Sequence, residues 1–293
     1  MTEIPSIQWF PGHMTRTRRM IEKDIRLVDL VAELLDARIP YSSSNPDLPK
    51  LVGNKPRMIL LNKADLADPA TTQMWLRYFQ EIGTEAVALD ARSGWNMDKF
   101  FPAVERTMEV ERKKWGEKGM GTRPIRMMVA GIPNVGKSSL MNRLTTGKKA
   151  KVEDRPGVTR GKQWVRTASG MEILDTPGIL WPKFEDPTVG EKLAFTGAVR
   201  DDILDKETLA MRLLEQLAVS SPESIIERYK LDDVEGLDGY DLLEEVGRKR
   251  GMLQTGGVVH MERAAITVLD EFRGGKLGRI SLEKPADILG ETM

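Results

Sequence analysis

The chain has 293 residues, balances 44 Lys and Arg against 44 Asp and Glu, and contains no cysteine, which excludes disulfide-stapled scaffolds and thiolate metal sites. No apolar run approaches the ~18 residues of a spanning helix, no repeat or low-complexity tract is visible, and the start lacks a signal peptide's basic segment and apolar core. The expectation is a cytoplasmic protein of two globular domains. The charge balance hides a split, 29 basic against 21 acidic side chains in residues 1–182 and 15 against 23 in residues 183–293, so a polyanionic partner would be met mainly by the first part.

Residues 1–11 are held extended by their prolines, and Gly12-His13-Met14-Thr15 leads into a basic helix. Arg16, Arg18, Arg19, Lys23 and Arg26 lie mostly off its apolar stripe of Met20, Ile21, Ile25 and Val28. That face suits a phosphate backbone and equally an ordinary solvated helix. Residues 27–35 read as a buried strand ending at Asp36-Ala37-Arg38-Ile39-Pro40, and residues 41–49 as a Ser/Asn/Pro-rich loop. A strand over 57–61, a helix over 71–82 and a strand over 85–89 follow, which is a parallel α/β pattern.

The second strand runs directly into Asn62-Lys63-Ala64-Asp65. A carboxylate at Asp65 can accept two hydrogen bonds from the ring and exocyclic N–H groups of guanine, whereas adenine presents no matching donor pair. Asn62 would tie this loop to the phosphate side, and Lys63 would lay its stem along the base. After the third strand, Asp90-Ala91-Arg92 is loosely similar to the Ser-Ala-Lys loop of GTPases, whose alanine amide contacts the guanine carbonyl.

A helix over 96–114 and a charged stretch over 111–126 lead to a strand at 125–130 and then to Gly131-Ile132-Pro133-Asn134-Val135-Gly136-Lys137-Ser138-Ser139. This matches the phosphate-binding pattern G-x-x-x-x-G-K-[ST] in full, with a helix over 138–144 behind it. The glycines let the backbone wrap phosphate oxygens, while the loop amides and the helix's positive end hold the anion. Lys137 reaches the β- and γ-phosphates, and Ser138 offers its hydroxyl to Mg²⁺. This motif leaves ATP and GTP open, and Asp65 decides for GTP.

Residues 147–161 form a segment rich in Gly, Lys and Arg in which Thr159 is the candidate switch threonine of the Mg²⁺ shell; a plain basic loop is the competing reading. Asp175-Thr176-Pro177-Gly178 supplies the acidic residue of that shell, through water, and a glycine amide for the γ-phosphate. Helices over 190–200, 206–218, 222–230, 240–249 and 258–272 form a small bundle, where Arg248, Lys249, Arg250, Arg273, Lys276 and Arg279 are a candidate nucleic-acid patch on an acidic domain.

The order of the motifs is rotated: a Ras-like domain begins at the phosphate loop and reaches Asn-Lys-x-Asp last, whereas here Asn-Lys-x-Asp comes first and Asp-x-x-Gly last. Such a circular permutation is allowed because the ends of a compact α/β domain lie close together and can be joined, here by residues 111–126. The predicted architecture is α/β, a circularly permuted P-loop GTPase domain with a parallel-type sheet flanked by helices over 1–182, followed by a small all-α domain over 183–293. The segment after Gly178 then leads out of the GTPase domain and can carry switch movement to the helices.

With this order, Trp9-Phe10-Pro11-Gly12-His13-Met14, Asp36-Ala37-Arg38-Ile39-Pro40 and the helical C-terminal part, the chain resembles the circularly permuted ribosome biogenesis GTPase A (YlqF/RbgA) family over nearly its whole length. The resemblance implies a monomeric GTP hydrolase that binds the large ribosomal subunit, through rRNA and ribosomal proteins, late in its assembly and away from membranes. It implies that His13 does the work of the glutamine that Ras-like enzymes place at the position of Ile179, since a hydrocarbon cannot orient the attacking water. Lys137, Thr159 and Gly178 complete that catalytic set, and Asn134 matches an asparagine that binds K⁺. Intrinsic hydrolysis is expected to be slow and stimulated by the bound particle. The alternative is a GTP-dependent RNA- or protein-binding adaptor not tied to the ribosome.

Overall fold

The computed structural model describes residues 19–121, 123–145, 164–174, 186–199 and 205–289. These fall in two compact units, one formed by the residues up to 174 together with 283–289, the other by residues 186–282.

The first unit is built on six strands, β1 (Leu30–Asp36), β2 (Arg57–Asn62), β3 (Glu85–Ala88), β4 (Arg126–Ala130), β5 (Trp164–Arg166) and β6 (Glu172–Leu174), in the order β3-β2-β1-β4-β6-β5. Every neighbouring pair is parallel except β5 and β6, so the expected parallel sheet carries an antiparallel edge. Three residues are too few for β5 to show a strand pattern in the sequence. β1 is buried along its whole length, as a strand covered on both faces must be. Val31, Met128 and Leu174 pack with Ile21, Ile25, Leu48 and Val52, while Leu35, Ile59 and Leu61 pack with Trp75 and Phe79.

Helices connect the strands. The stretch read as a loop holds two short ones, α1 (Pro40–Ser43) and α2 (Leu48–Val52), each with a proline in its first turn. Between them, Ser44 through its hydroxyl and Asn45 through its backbone amide bond inward. The buried Glu33 carboxylate accepts from Asn45 N at 2.8 Å and Ser44 Oγ at 3.1 Å and pairs with Arg57 at 2.6 Å. Next come α3 (Pro69–Glu81), capped by Asp68 accepting from Thr71 N at 2.7 Å, then α4 (Phe100–Glu117) and α5 (Lys137–Leu144). The chain runs outward from β1 through β2 to β3 and then returns to the other side of β1 as β4. This reversal opens a crevice at the carboxyl ends of β1 and β4.

The second unit comprises α6 (Pro187–Phe195), α7 (Lys206–Ser220), α8 (Pro222–Tyr229), α9 (Gly239–Lys249) and α10 (Met261–Arg273), with α7 packed against α8, α9 and α10. Asp186, Asp205 and Asp238 cap three of them with side-chain carboxylates. No helix among the described residues is long and apolar enough to cross a membrane.

Residues 283–289, assigned from sequence to the helical domain, return to the first unit, where α11 (Pro285–Leu289) packs on α3. Glu283 is 2% exposed; its carboxylate accepts from Tyr41 N at 2.9 Å and from the backbone and hydroxyl of Ser42, while Trp75 Nε1 donates to its carbonyl at 3.0 Å. A charged side chain carries no sequence signal of such an anchor. Glu283→Ala keeps the carbonyl that Trp75 uses but strands Tyr41 N and the backbone and hydroxyl of Ser42, and a loss of about 1–3 kcal/mol is expected, read as a lower urea midpoint.

Candidate nucleotide-binding site

The loops at the carboxyl ends of β4, β1, β2 and β3 bring the sequence motifs together. The loop from β4 enters α5 through two left-handed residues, Asn134 at φ 57° and Gly136 at φ 106°. A Cβ on Gly136 would lie 2.2 Å from Asn62 Nδ2, and one on Gly131 would lie 2.7 Å from the Leu34 carbonyl. Both glycines are therefore required by close approach of other chain segments. Lys137 arches back over the loop, donating to the carbonyls of Gly131 at 2.8 Å and Ile132 at 2.6 Å. Pro133 is half-buried and Val135 buried, whereas Asn134, Ser138 and Ser139 are exposed around the α5 amino terminus. That end carries the partial positive charge and amino-terminal amides of a helix, which suit phosphate.

Asn62 links the phosphate and base sides. It is 2% exposed, donates from Nδ2 to Val135 O at 2.7 Å, and accepts at Oδ1 from Ala91 N at 2.9 Å. The first bond is the tie expected from sequence. The second differs from expectation, because the Ala91 amide assigned to the guanine carbonyl is directed to Asn62. The Asp90 carboxylate turns into its own loop and accepts from Arg92 N and Ser93 N, each at 2.8 Å. Burial pushes the Asp90 carboxyl up, but bonds from Ser93 and Arg92 outweigh it and hold it below its ordinary range. Arg143, from α5, donates to the carbonyls of Arg92 and Ala91 and braces this loop against the phosphate-loop helix. Sequence reading missed Arg143, since a helical arginine carries no mark of its distant partner.

The strand β1 contributes Asp36, 1% exposed. Arg38 Nε reaches Asp36 Oδ1 at 2.9 Å and Arg38 Nη2 reaches Oδ2 at 2.8 Å, and Lys63 Nζ meets the same Oδ2 at 3.0 Å. Burial alone would raise the Asp36 carboxyl, yet the Arg38 and Lys63 charges and their hydrogen bonds hold it well below the usual carboxylate range. Lys63 has φ 59°, a conformation that costs a non-glycine residue on the order of 1–2 kcal/mol, and it precedes the turn in which Asp65 is exposed between buried Ala64 and half-buried Leu66.

His13, Thr159, Asp175 and Gly178 lie outside the described residues. Among the described residues no three His, Asp or Glu side chains gather as a metal site. The basic positions offered as a nucleic-acid patch are largely answered within the helical unit. Arg248 pairs with Glu244, Lys249 with Asp232 and Arg250 with Glu271, and Arg273 donates to the carbonyls of Ala194 and Phe195.

Two outcomes follow from this geometry. Asn62→Ala removes both buried bonds, and by calorimetry GDP and GTP affinity should fall together by roughly 10- to 100-fold. Because the folded-state value of Asp36 is lowered, its stabilisation is full above the unfolded carboxyl value of about 3.9 and is lost as pH falls below it. Urea midpoints of wild type and Asp36→Asn should therefore differ most near neutrality and converge on acidification.

Residues 126–226 match a family model described as "50S ribosome-binding GTPase". The chain is 46% identical over 283 residues to Ribosome biogenesis GTPase A of Priestia megaterium, covering 96% of this chain and 98% of that one. Among solved structures, GDP-bound TM YlqF aligns with a TM-score of 0.64 at 28% identity, covering 92% of this chain and all of that one. GNP-bound YlqF from T. maritima aligns at 0.63 and 28%, covering 93% and 100%. With its phosphate and guanine loops joined through Asn62 on a rotated P-loop sheet, the chain belongs to the ribosome biogenesis GTPase A family and is a GTP-hydrolysing enzyme of ribosome biogenesis.

Proposed function

We propose that this GTPase is a monomeric cytoplasmic timing switch, which binds the large ribosomal subunit through rRNA and ribosomal proteins late in assembly and is released on hydrolysis. The observation that carries the nucleotide half of this reading is Asn62, whose two bonds hold the phosphate loop and the base loop as one site. The partner half is supported by the "50S ribosome-binding GTPase" description of the matched family model and by the names of the relatives.

In this reading Asp65 accepts from guanine, Lys63 flanks the base, and the amides from Asn134 to Ser139 hold the phosphates. Lys137 exchanges its present carbonyl partners for phosphate oxygens. The exposed hydroxyl of Ser138 in the first turn of α5 fits Mg²⁺, and the exposed left-handed Asn134 fits K⁺. Bound Mg²⁺ supplies neutralisation of the charge that develops on the phosphates. Thr159, Asp175 and Gly178 complete the γ-phosphate surroundings and His13 orients the attacking water. Ile179 cannot orient water, so intrinsic turnover is slow; absent transition-state groups cost GTPases about 10³ to 10⁵ in rate.

The test is GTP hydrolysis in potassium and in sodium buffer, with and without purified ribosomal subunits. Turnover is expected to rise by roughly tens-fold or more, toward the larger factors that missing transition-state groups cost, only with the large subunit and potassium, and His13→Ala should abolish the rise. Binding to the large subunit without any stimulation would favour the adaptor reading.

A further inference from the structure

We propose that Asp36 is the positioning residue for the guanine loop: its carboxylate holds the Lys63 ammonium, and through it the left-handed backbone that sets the place of Asp65. This rests on the reading that Asp65 recognises guanine.

The geometry carries the inference in three steps. First, the carboxylate is fixed before Lys63 reaches it. Arg38 grips both oxygens with its guanidinium and adds its backbone amide to Oδ1 at 3.1 Å, and Ser43 Oγ accepts from Asp36 N at 3.0 Å. Asp36 and Arg38 are each 1% exposed, so this is a rigid anionic anchor within the protein. Second, anchor and loop are in register, because Asp36 pairs with Asn62 across β1 and β2, and Ala37 N donates to Asn62 O at 2.8 Å. Lys63 is thus the first residue beyond the paired strand. Third, Lys63 must adopt φ 59°, which an L side chain resists, and its ammonium sits 3.0 Å from Asp36 Oδ2. The ion pair opposes that resistance, and the turn over Ala64 and Asp65 starts from the held residue. An arginine in place of Lys63 could keep the pair, whereas a methionine would keep the stem and lose it.

The consequence concerns base selection. The Asp65 carboxylate discriminates for guanine only if both of its bonds are made, and hypoxanthine lacks the exocyclic amine that makes one of them. Loosening Lys63 should therefore cost GDP more than IDP, while the phosphate contacts, common to both, are unchanged.

The experiment is a double-mutant cycle on the full chain, with GDP, IDP and ADP affinities measured by calorimetry. Asp36→Asn and Lys63→Met are each expected to weaken GDP by roughly tenfold and to narrow the GDP-to-IDP preference, the double variant being no weaker than either single one. Lys63→Arg should bind GDP more tightly than Lys63→Met. Additive losses, or a Lys63→Met protein that binds GDP as wild type does, would overturn the proposal. Lys63→Met leaves the Asp36–Arg38 anchor intact, so it decides the matter even if Asp36→Asn fails to fold. Asp65→Asn separates the two levels: if it leaves GDP binding unchanged, the guanine-loop reading itself is wrong, and if it weakens GDP while Lys63→Met does not, only the role of Asp36 falls.

Discussion

A single buried carboxamide, Asn62, constrains the nucleotide end of this protein. It stands at the last paired position of β2, spends Nδ2 on the phosphate loop and Oδ1 on the Ala91 amide, and leaves no room for a Cβ at Gly136. A group at once donor and acceptor is what the junction demands, since one neighbour offers a carbonyl and the other an N–H. An aspartate would face the Val135 carbonyl with an oxygen, and a leucine would strand both partners in a dry site.

Near this junction the two buried carboxylates of β1 are answered by cations. Glu33 and Asp36 sit in a strand otherwise fit for a hydrophobic core, and each meets cations and backbone amides that offset its desolvation. Their shared effect is to order the chain that follows β1. Glu33 holds the turn at Ser44 and Asn45, Asp36 gathers Arg38 and Lys63, and Glu283 arrives from more than two hundred residues away to cap the turn at Tyr41 and Ser42. Three carboxylates thus hold the short segment beside the guanine loop, where apolar packing alone would not specify one conformation.

Circular permutation gives these contacts a further meaning. The helical unit leaves the sheet after β6, past the segment that carries Asp175 and Gly178, and the chain rejoins the first unit at Glu283. Both covalent ends of the helical unit are therefore attached to the GTPase unit, one through the chain that follows β6 and one at Glu283.

The sequence by itself determined the chemistry and the class of fold. The phosphate loop and Asn62-Lys63-Ala64-Asp65 are contiguous motifs whose roles follow from residue type and spacing, their order declares the permutation, and the hydrophobic runs mark β1 through β4. Only the tertiary structure decided how the side chains around the site are bonded: Asp90 into its own loop, Arg143 bracing that loop, Asp36 holding Lys63, and Glu283 carrying the chain end back to the first unit. These contacts join residues that are distant in sequence, or turn inward side chains that read as solvent-facing. A polar residue's partner is set by three-dimensional proximity, and no local periodicity or spacing encodes it.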